Sequence, residues 1–150
     1  MKIENEIKGH FRNEYHKGLI NLIFTAKQLN QRFSSVLKIH KITEAQYNVL
    51  RILRGNKQST TSSIGYIKER MLERNSDVSR IVDKLYGLHF IDRKECPNDR
   101  RQKEVSITKK GLDLLSKMDE SEKQVDTFLK NLNDSEIKTL NKLLDKLRDW

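Results

Sequence analysis

Apolar residues recur every three or four positions through most of this chain, which is the spacing of one face of an α-helix. The first such run predicts a helix from about Lys8 to Lys38. Its apolar stripe consists of Phe11, Tyr15, Leu19, Leu22, Ile23, Ala26, Leu29, Phe33, Val36 and Leu37. Such a helix is roughly 45 Å long, whereas a compact chain of 150 residues has a radius of gyration of about 15 Å. We therefore expect part of the stripe to face a second subunit.

The middle of the chain contains shorter helical runs separated by polar turns. Thr43 and Gln46 form a capping box, and the helix that they open ends at Gly55. A second helix is predicted from about Ser62 to Leu72. A third is predicted from about Ser76 to Leu88, with Asn75 or Ser76 as its N-cap. The apolar face of this third helix consists of Val78, Ile81, Val82 and Leu85.

After these helices the pattern changes to the alternation of β-strands. The sequence predicts two short strands, from Phe90 to Cys96 and from Lys103 to Thr108. Pro97 to Arg101 is a charged, turn-prone segment that joins them. The two strands therefore form a hairpin that follows directly on the third helix.

Two further helices are predicted after the hairpin. Thr108 caps the first, which continues through Leu129, and Asn133 with Glu136 caps the second. We predict a single domain over residues 1–150 that is mainly α-helical with a small β-hairpin. Helices within residues 1–40 and 112–150 flank a central segment, residues 41–111.

Charge then narrows the class of partner. The chain carries 30 Lys and Arg against 21 Asp and Glu, with a net charge of +9 and a pI near 9.7. Such an excess attracts polyanions, so nucleic acid or an anionic membrane surface is the expected partner, and a soluble protein with a merely basic surface is the alternative. No stretch approaches the roughly 20 apolar residues that span a bilayer, and no secretory leader is evident. We expect a cytoplasmic protein.

The order of elements places this charge in a specific arrangement. Two short helices followed by a basic hairpin is the order of a winged helix-turn-helix, in which the second helix enters the DNA major groove. The polar face of that helix offers Ser76, Asp77, Ser79, Arg80 and Lys84. Arg80 can pair bidentately with guanine, and the two serines suit phosphates or base edges. An ordinary amphipathic surface helix is the alternative.

The hairpin, or wing, strengthens the DNA-binding interpretation. Residues 93–110 contain seven basic and three acidic side chains, a net charge of +4. A basic loop between strands can insert an arginine into a narrow minor groove. The predicted DNA contacts of the wing are Arg93, Lys94, Asp99, Arg100, Arg101 and Lys103.

The segment from Ile42 to Gly111 resembles the DNA-binding domain of the MarR family of bacterial transcription regulators. The matching pieces are Ile42–Gln46, Ser76–Leu85, Ile91–Arg93, Pro97–Arg101 and Val105–Gly111. The wing pattern of the family is met by Asp99, Arg101, Ile107 and Thr108. The resemblance implies a symmetric dimer built from the N-terminal and C-terminal helices. It also implies that Arg101 reaches the minor groove and that Asp99 orients it.

The resemblance further implies a repressor that binds a pseudo-palindromic operator and responds to a small aromatic or anionic effector. The predicted lining of the effector site is His10, Arg12, Tyr15, His16, Tyr47 and Arg51. That these are simply exposed or packing residues is the alternative. Oxidant sensing through Cys96 is a second alternative, although oxidant-sensing members of the family carry their cysteine on the N-terminal helix.

Catalysis is not expected. The four histidines are scattered, and the sequence has no metal-ligand cluster, glycine-rich phosphate loop or nucleophile motif. We predict no enzyme activity, no cofactor and no metal. A helical protein-interaction module without DNA binding is the remaining alternative to a DNA-binding regulator.

Overall fold

Helices make up most of the structure, which is a computed structural model. It describes residues 2–73, 77–96 and 99–149. For residues 95–96, 99–102 and 120–126 it describes the backbone alone. The elements in chain order are α1 Ile3–Glu6, α2 Glu14–Ile39, α3 Glu44–Gly55, β1 Ser62–Ser63, α4 Ile64–Arg70, α5 Val78–Gly87, β2 Ile91–Cys96, β3 Asp99–Ile107, α6 Lys109–Asp126, the 3₁₀ turn Thr127–Leu129, and α7 Asp134–Leu147. The strands form one antiparallel sheet in the order β1-β3-β2. A mainly helical fold with a small β-hairpin is thus confirmed.

The N-terminal helix begins later than its apolar stripe predicts. Asn13 is the N-cap, and its side chain accepts a hydrogen bond from the His16 backbone N–H at 2.9 Å, so α2 starts at Glu14 rather than near Lys8. The short α1 precedes it. An ion pair of 2.6 Å between Lys17 Nζ and Glu4 Oε1 connects the two helices. The hydrogen bond within this pair lowers the pKa of Glu4 and raises the pKa of Lys17.

Helix α3 is the central element of residues 41–111, which we call the winged segment. Its predicted capping box is confirmed: the Gln46 N–H donates to Thr43 Oγ1 at 3.2 Å, and the Thr43 N–H donates to Gln46 Oε1 at 2.9 Å. The helix ends at Gly55, as predicted. It contacts α4, α5, α6 and β3, because its apolar side chains are buried between them.

The second predicted helix is shorter than expected, because its first two residues belong to the sheet. Ser62 and Ser63 form β1 and pair with Val105 and Glu104 of β3. The Ser63 hydroxyl then accepts a hydrogen bond from the Tyr66 N–H at 3.1 Å and caps α4. Two polar residues show no alternation of apolar and polar positions, so the sequence pattern could not reveal this strand.

The wing consists of β2 and β3, which pair from Ile91 with Ile107 outward. Glu95 pairs with Lys103, whereas the next residue of β2, Cys96, pairs with Asp99. The register of the two strands therefore shifts at this point, and residues 100–102 of β3 lie between the two pairs. The prediction that residues 99–101 belong to the connecting turn was therefore wrong. The remaining turn residues, 97 and 98, lie outside the described residues.

The junction between α5, the wing and α6 is closely packed. His89 has a φ of 61°, and the hydrogen bonds from the His89 N–H to Tyr86 O and from the Phe90 N–H to Leu85 O form a Schellman motif that ends α5. Thr108 Oγ1 donates to His89 O at 2.8 Å and accepts from the Gly111 N–H at 3.1 Å. Thr108 is thus the helix cap that the sequence predicts, and it also fixes the end of α5.

The C-terminal helices follow their caps. Helix α6 ends at Asp126, and the Thr127–Leu129 stretch that was predicted to continue it is a 3₁₀ turn. Asn133 and Glu136 form the predicted capping box of α7. No helix among the described residues combines the length and apolarity needed to cross a membrane.

The core lies mostly in the winged segment. It consists of Leu37, Ile42, Tyr47, Val49, Leu50, Leu53, Ile67, Met71, Val78, Val82, Leu85, Ile91, Val105, Leu115 and Met118. The flanking helices contribute few of these residues. Leu37 is the buried residue of α2, and α7, all of whose side chains are described, has none.

Candidate nucleic-acid interface

Helix α5 is anchored by one face and exposes the other. Its buried residues are Val78, Val82 and Leu85, and it packs against α3, α4 and β2. Ser79, Arg80 and Lys84, which the sequence predicts as DNA contacts, are all exposed. Ser76, predicted with them, lies outside the described residues. The described polar face of α5 is thus free of the core and open to an external partner.

Asp77 has a local role that the sequence reasoning missed. It is the N-cap of α5 and accepts a hydrogen bond from the Arg80 N–H at 3.2 Å. The prediction that Asn75 or Ser76 caps this helix was therefore wrong. The second oxygen of the same carboxylate lies 3.1 Å from Arg80 Nε. Asp77 consequently orients Arg80, whose side chain remains 85% exposed.

The wing presents further cations next to this helix. Lys94 and Lys103 are exposed, and each is paired across the sheet with a glutamate position, Glu104 and Glu95. The backbone places Asp99, Arg100 and Arg101 at the start of β3, and their side chains lie outside the described residues. The predicted contact between Asp99 and Arg101 therefore remains a prediction.

A groove of about 500 Å³ connects the helix-turn-helix to the wing. It is lined by Ser63, Ile64, Gly65, Ser79, Val82, Asp83 and Lys103. Ser79 and Lys103, predicted separately on α5 and β3, are thus brought together. The sequence reasoning missed two lining residues, Ser63 and Asp83. The four-residue spacing from Ser79 to Asp83 could have shown that Asp83 lies on the same face of α5 as Ser79.

Arg93 is a predicted wing contact whose guanidinium is engaged within the protein. It forms an ion pair with the Asp83 carboxylate and lies 4.4 Å from the centroid of the Tyr86 ring. Its side chain is 32% exposed. Lys110 is engaged in a similar way, since its Nζ donates to Leu88 O at 2.9 Å. These two cations connect elements of the chain to one another.

The predicted effector-site residues fall into two local groups. At the start of α2, His16 Nδ1 accepts a hydrogen bond from the Arg12 N–H at 3.3 Å, next to Tyr15, which is 90% exposed, and the exposed His10. On α3, Tyr47 is a core residue, and Arg51 lies 5.7 Å from its ring. Their role in binding an effector stays a prediction.

The described residues include no group of three or more His, Cys, Asp or Glu side chains arranged to hold a metal ion. The buried side-chain nitrogen and oxygen atoms among them all have hydrogen-bond partners. What the described residues of α5 and the wing present at the surface is exposed hydroxyl and cationic side chains.

Comparison with known proteins agrees with this geometry. Residues 42–103 match the model of the MarR family. A mutant MarR from E. coli in complex with operator DNA superposes with a TM-score of 0.79 at 22% identity, over 93% of this chain and 99% of that one. No curated protein sequence matches the chain.

Two further solved structures share the fold. A MarR-like transcription regulator from Bacillus cereus has a TM-score of 0.78 at 19% identity, over 91% of this chain and 97% of that one. BpsR from Bordetella bronchiseptica, whose DNA binding is regulated by 6-hydroxynicotinic acid, has a TM-score of 0.70 at 22% identity, over 86% and 99%. The resemblance that the sequence motifs carry is thereby confirmed.

Proposed function

We propose that this chain, whose residues 42–103 match the model of the MarR family, is a transcriptional regulator that binds double-stranded DNA as a homodimer. The observation that carries the proposal is the groove in which α4, α5 and β3 meet. The exposed hydroxyl and cationic side chains of α5 lie beside those of the wing, in the arrangement that lets a helix read a major groove while a hairpin contacts the backbone.

Arg80 is the proposed base-reading residue. Asp77 engages its Nε in an 85% exposed side chain, which leaves Nη1 and Nη2 to donate two parallel hydrogen bonds to guanine O6 and N7. Ser79, Lys84, Lys94 and Lys103 suit phosphate oxygens, because they are exposed donors around the same groove and wing. We propose that Arg101, held by Asp99, enters the minor groove.

The apolar surface of the flanking helices supports a dimer. Tyr15, Leu19, Leu22 and Ile23 on α2 are 90%, 56%, 37% and 56% exposed, and Leu143 and Leu147 on α7 are 60% and 52% exposed. These residues recur at helical spacing, so each set forms a stripe. Burial of such stripes against a second copy removes apolar area from water at about 25 cal/mol per Å². A symmetric dimer would bury the α2 stripe and the α7 stripe of each protomer.

A two-fold dimer presents two recognition helices to one face of a duplex. We propose that they occupy successive major grooves, with half-sites about 10 base pairs apart on a pseudo-palindrome. Occupation of such a site in a promoter excludes polymerase, so the proposed outcome is repression. The likeness to the E. coli protein bound to operator DNA supports this arrangement.

An effector is proposed by analogy with BpsR, whose DNA binding responds to 6-hydroxynicotinic acid. The cationic and aromatic groups of the two clusters on α2 and α3 suit a small aromatic anion. A panel of phenols and aromatic carboxylates should include a compound that raises the melting temperature and releases DNA. If no compound does either, the effector proposal is wrong, and the DNA-binding proposal is unaffected.

Selection from a random duplex library tests the proposed function. The retained sequences should converge on a pseudo-palindrome, and the chain should bind the selected duplex at least about 1,000-fold more tightly than a shuffled duplex of equal length. Arg101→Ala should reduce the slope of log K against log salt by about 0.9. Equal affinity for the selected and shuffled duplexes would contradict the proposal.

A further inference from the structure

We propose that Arg93 is a positioning residue that fixes the wing to the recognition helix, instead of a residue that contacts DNA. Arg93, Asp83 and Tyr86 form a unit that we call the clasp. Two of its members lie on α5 and the third lies on β2. The proposal deepens the proposed function, since the angle between α5 and the wing matters for binding a duplex.

The geometry of the clasp uses both chemical properties of a guanidinium group. Asp83 and Tyr86 are three residues apart on α5, so their side chains are neighbours on the helix surface. Arg93 pairs with the Asp83 carboxylate and lies 4.4 Å from the Tyr86 ring centroid. A planar, delocalised cation can make an ion pair through its edge and a cation–π contact through its face, and a lysine cannot reproduce both.

The position of Arg93 along β2 gives this contact mechanical importance. The strand extends about 16 Å from Ile91 to Cys96 at the usual rise per residue, so a tilt of about 10° at its base moves the wing tip by about 3 Å. That distance is the length of a hydrogen bond. Ile91 packs in the core at the base of β2, and Val105, opposite Arg93 on β3, also packs there. The clasp attaches β2 itself to α5 at this level, two residues beyond Ile91.

Asp83 has an electrostatic consequence as well. Asp83 lines the groove together with Ser79 and Lys103, on the surface proposed to meet phosphates. Without Arg93 this negative charge would repel the duplex. If the clasp had no positioning role, removal of the carboxylate should therefore strengthen DNA binding.

The variant Asp83→Asn gives opposite results under the two accounts. The clasp account predicts that its affinity for the selected duplex falls by about tenfold, because the ion pair is lost and the cation–π contact is loosened. Affinity for a shuffled duplex should stay equal or rise, since the variant is more positive. Tighter binding of Asp83→Asn to the selected duplex would overturn the proposal.

Matched variants separate positioning from charge. Asp149→Asn changes the net charge equally at an exposed position after α7 and should behave as the wild type. Arg93→Lys keeps the cation and should still show most of the tenfold loss of affinity for the selected duplex, whereas Tyr86→Phe keeps the ring and should bind that duplex like the wild type. An Arg93→Lys protein with wild-type selectivity would also overturn the proposal.

A measurement without DNA distinguishes failure of the clasp from failure of the proposed function. Amide hydrogen exchange across β2 and β3 should be faster in Asp83→Asn than in Asp149→Asn, because the wing has lost an attachment. Unchanged protection would contradict the clasp even if the chain bound DNA. Faster exchange in a protein that prefers no duplex would retain the clasp and reject the regulator function.

Discussion

The winged segment and the flanking helices both carry regularly spaced apolar residues, yet most of the buried ones lie in the winged segment. Leu50, Ile67, Leu85 and Val105 of the winged segment are fully buried, whereas Leu19 on α2 is 56% exposed and Leu143 on α7 is 60% exposed. Helical periodicity therefore indicates that one face of a helix packs against other apolar groups. It does not show whether the contact lies within the chain or in a second copy.

Element length explains much of this difference. Helices α3, α4 and α5 have 12, 7 and 10 residues and are joined by short connections, so they can close around one another. Helix α2 has 26 residues, and at 1.5 Å per residue most of it extends beyond so small a core. The surplus of apolar surface in the flanking helices is what a partner subunit would cover.

The largest expected effect comes from truncating a side chain in the core. Leu50→Ala should lower the free energy of unfolding by about 2–5 kcal/mol, because it removes buried methyl groups and leaves a cavity. Leu72→Ala is the matched control, since Leu72 is 83% exposed, and it should change stability by less than about 0.5 kcal/mol. Chemical denaturation of both proteins measures the contrast. Equal losses would contradict the assignment of Leu50 to the core and Leu72 to the surface.

The flanking region should respond in association instead of folding. Leu19→Glu should weaken the proposed dimer by about 100-fold, because a charge placed in an apolar interface must be desolvated. Gln28→Glu adds the same charge on the opposite face of α2, nine residues away, and should leave the dimer intact. Sedimentation equilibrium measures both. A wild-type chain that stays monomeric at micromolar concentration would contradict the dimer.

A smaller effect is expected at the junction of the two regions. A Cβ atom on Gly111 of α6 would lie 2.3 Å from Phe90 O, so Gly111→Ala should cost about 1–3 kcal/mol as the junction shifts. Gly65→Ala is the control, because its Cβ would meet only Ser63 Oγ at 3.7 Å. That variant should be neutral or slightly stabilising. Thermal unfolding tests the pair, and a neutral Gly111→Ala would show that this contact is loose.

The smallest expected effect is a gain at the end of α5. His89 adopts a φ of 61°, a conformation that costs a side chain with a Cβ atom about 1 kcal/mol and costs glycine nothing. His89→Gly should therefore raise the free energy of unfolding by up to about 1 kcal/mol. The hydrogen bond that the Thr108 hydroxyl donates to His89 O does not depend on the His89 side chain. A loss of stability would imply that the imidazole makes a contact of its own.

Much of the fold could be predicted because its local rules are strong. The capping boxes at Thr43 and Asn133 begin α3 and α7 as predicted, because each joins a hydroxyl or amide acceptor to a side chain three residues later. The order of helices and hairpin also followed from periodicity. Elements that depend on distant pairing were missed, above all β1, which exists only because β3 lies beside it.

The candidate site was predictable in composition and less so in arrangement. The exposure of Ser79, Arg80 and Lys84 on α5 agrees with the amphipathic pattern. The pairing of Asp83 with Arg93 was not foreseen, because an ion pair between a helix and a strand leaves no periodic trace in the sequence. Asp77 was predicted as a DNA contact, which stays a prediction, and its role as the cap of α5 was not foreseen.

Replacement of one arginine on each region tests the central claim most directly. Arg80→Ala on α5 and Arg32→Ala on α2 remove the same charge from exposed positions, and both are titrated against the selected duplex and single-base variants of it. The account predicts that Arg80→Ala loses about 1–3 kcal/mol of discrimination at one or two base pairs, while Arg32→Ala keeps the full selectivity. Equal selectivity of the two variants would contradict the assignment of base reading to α5.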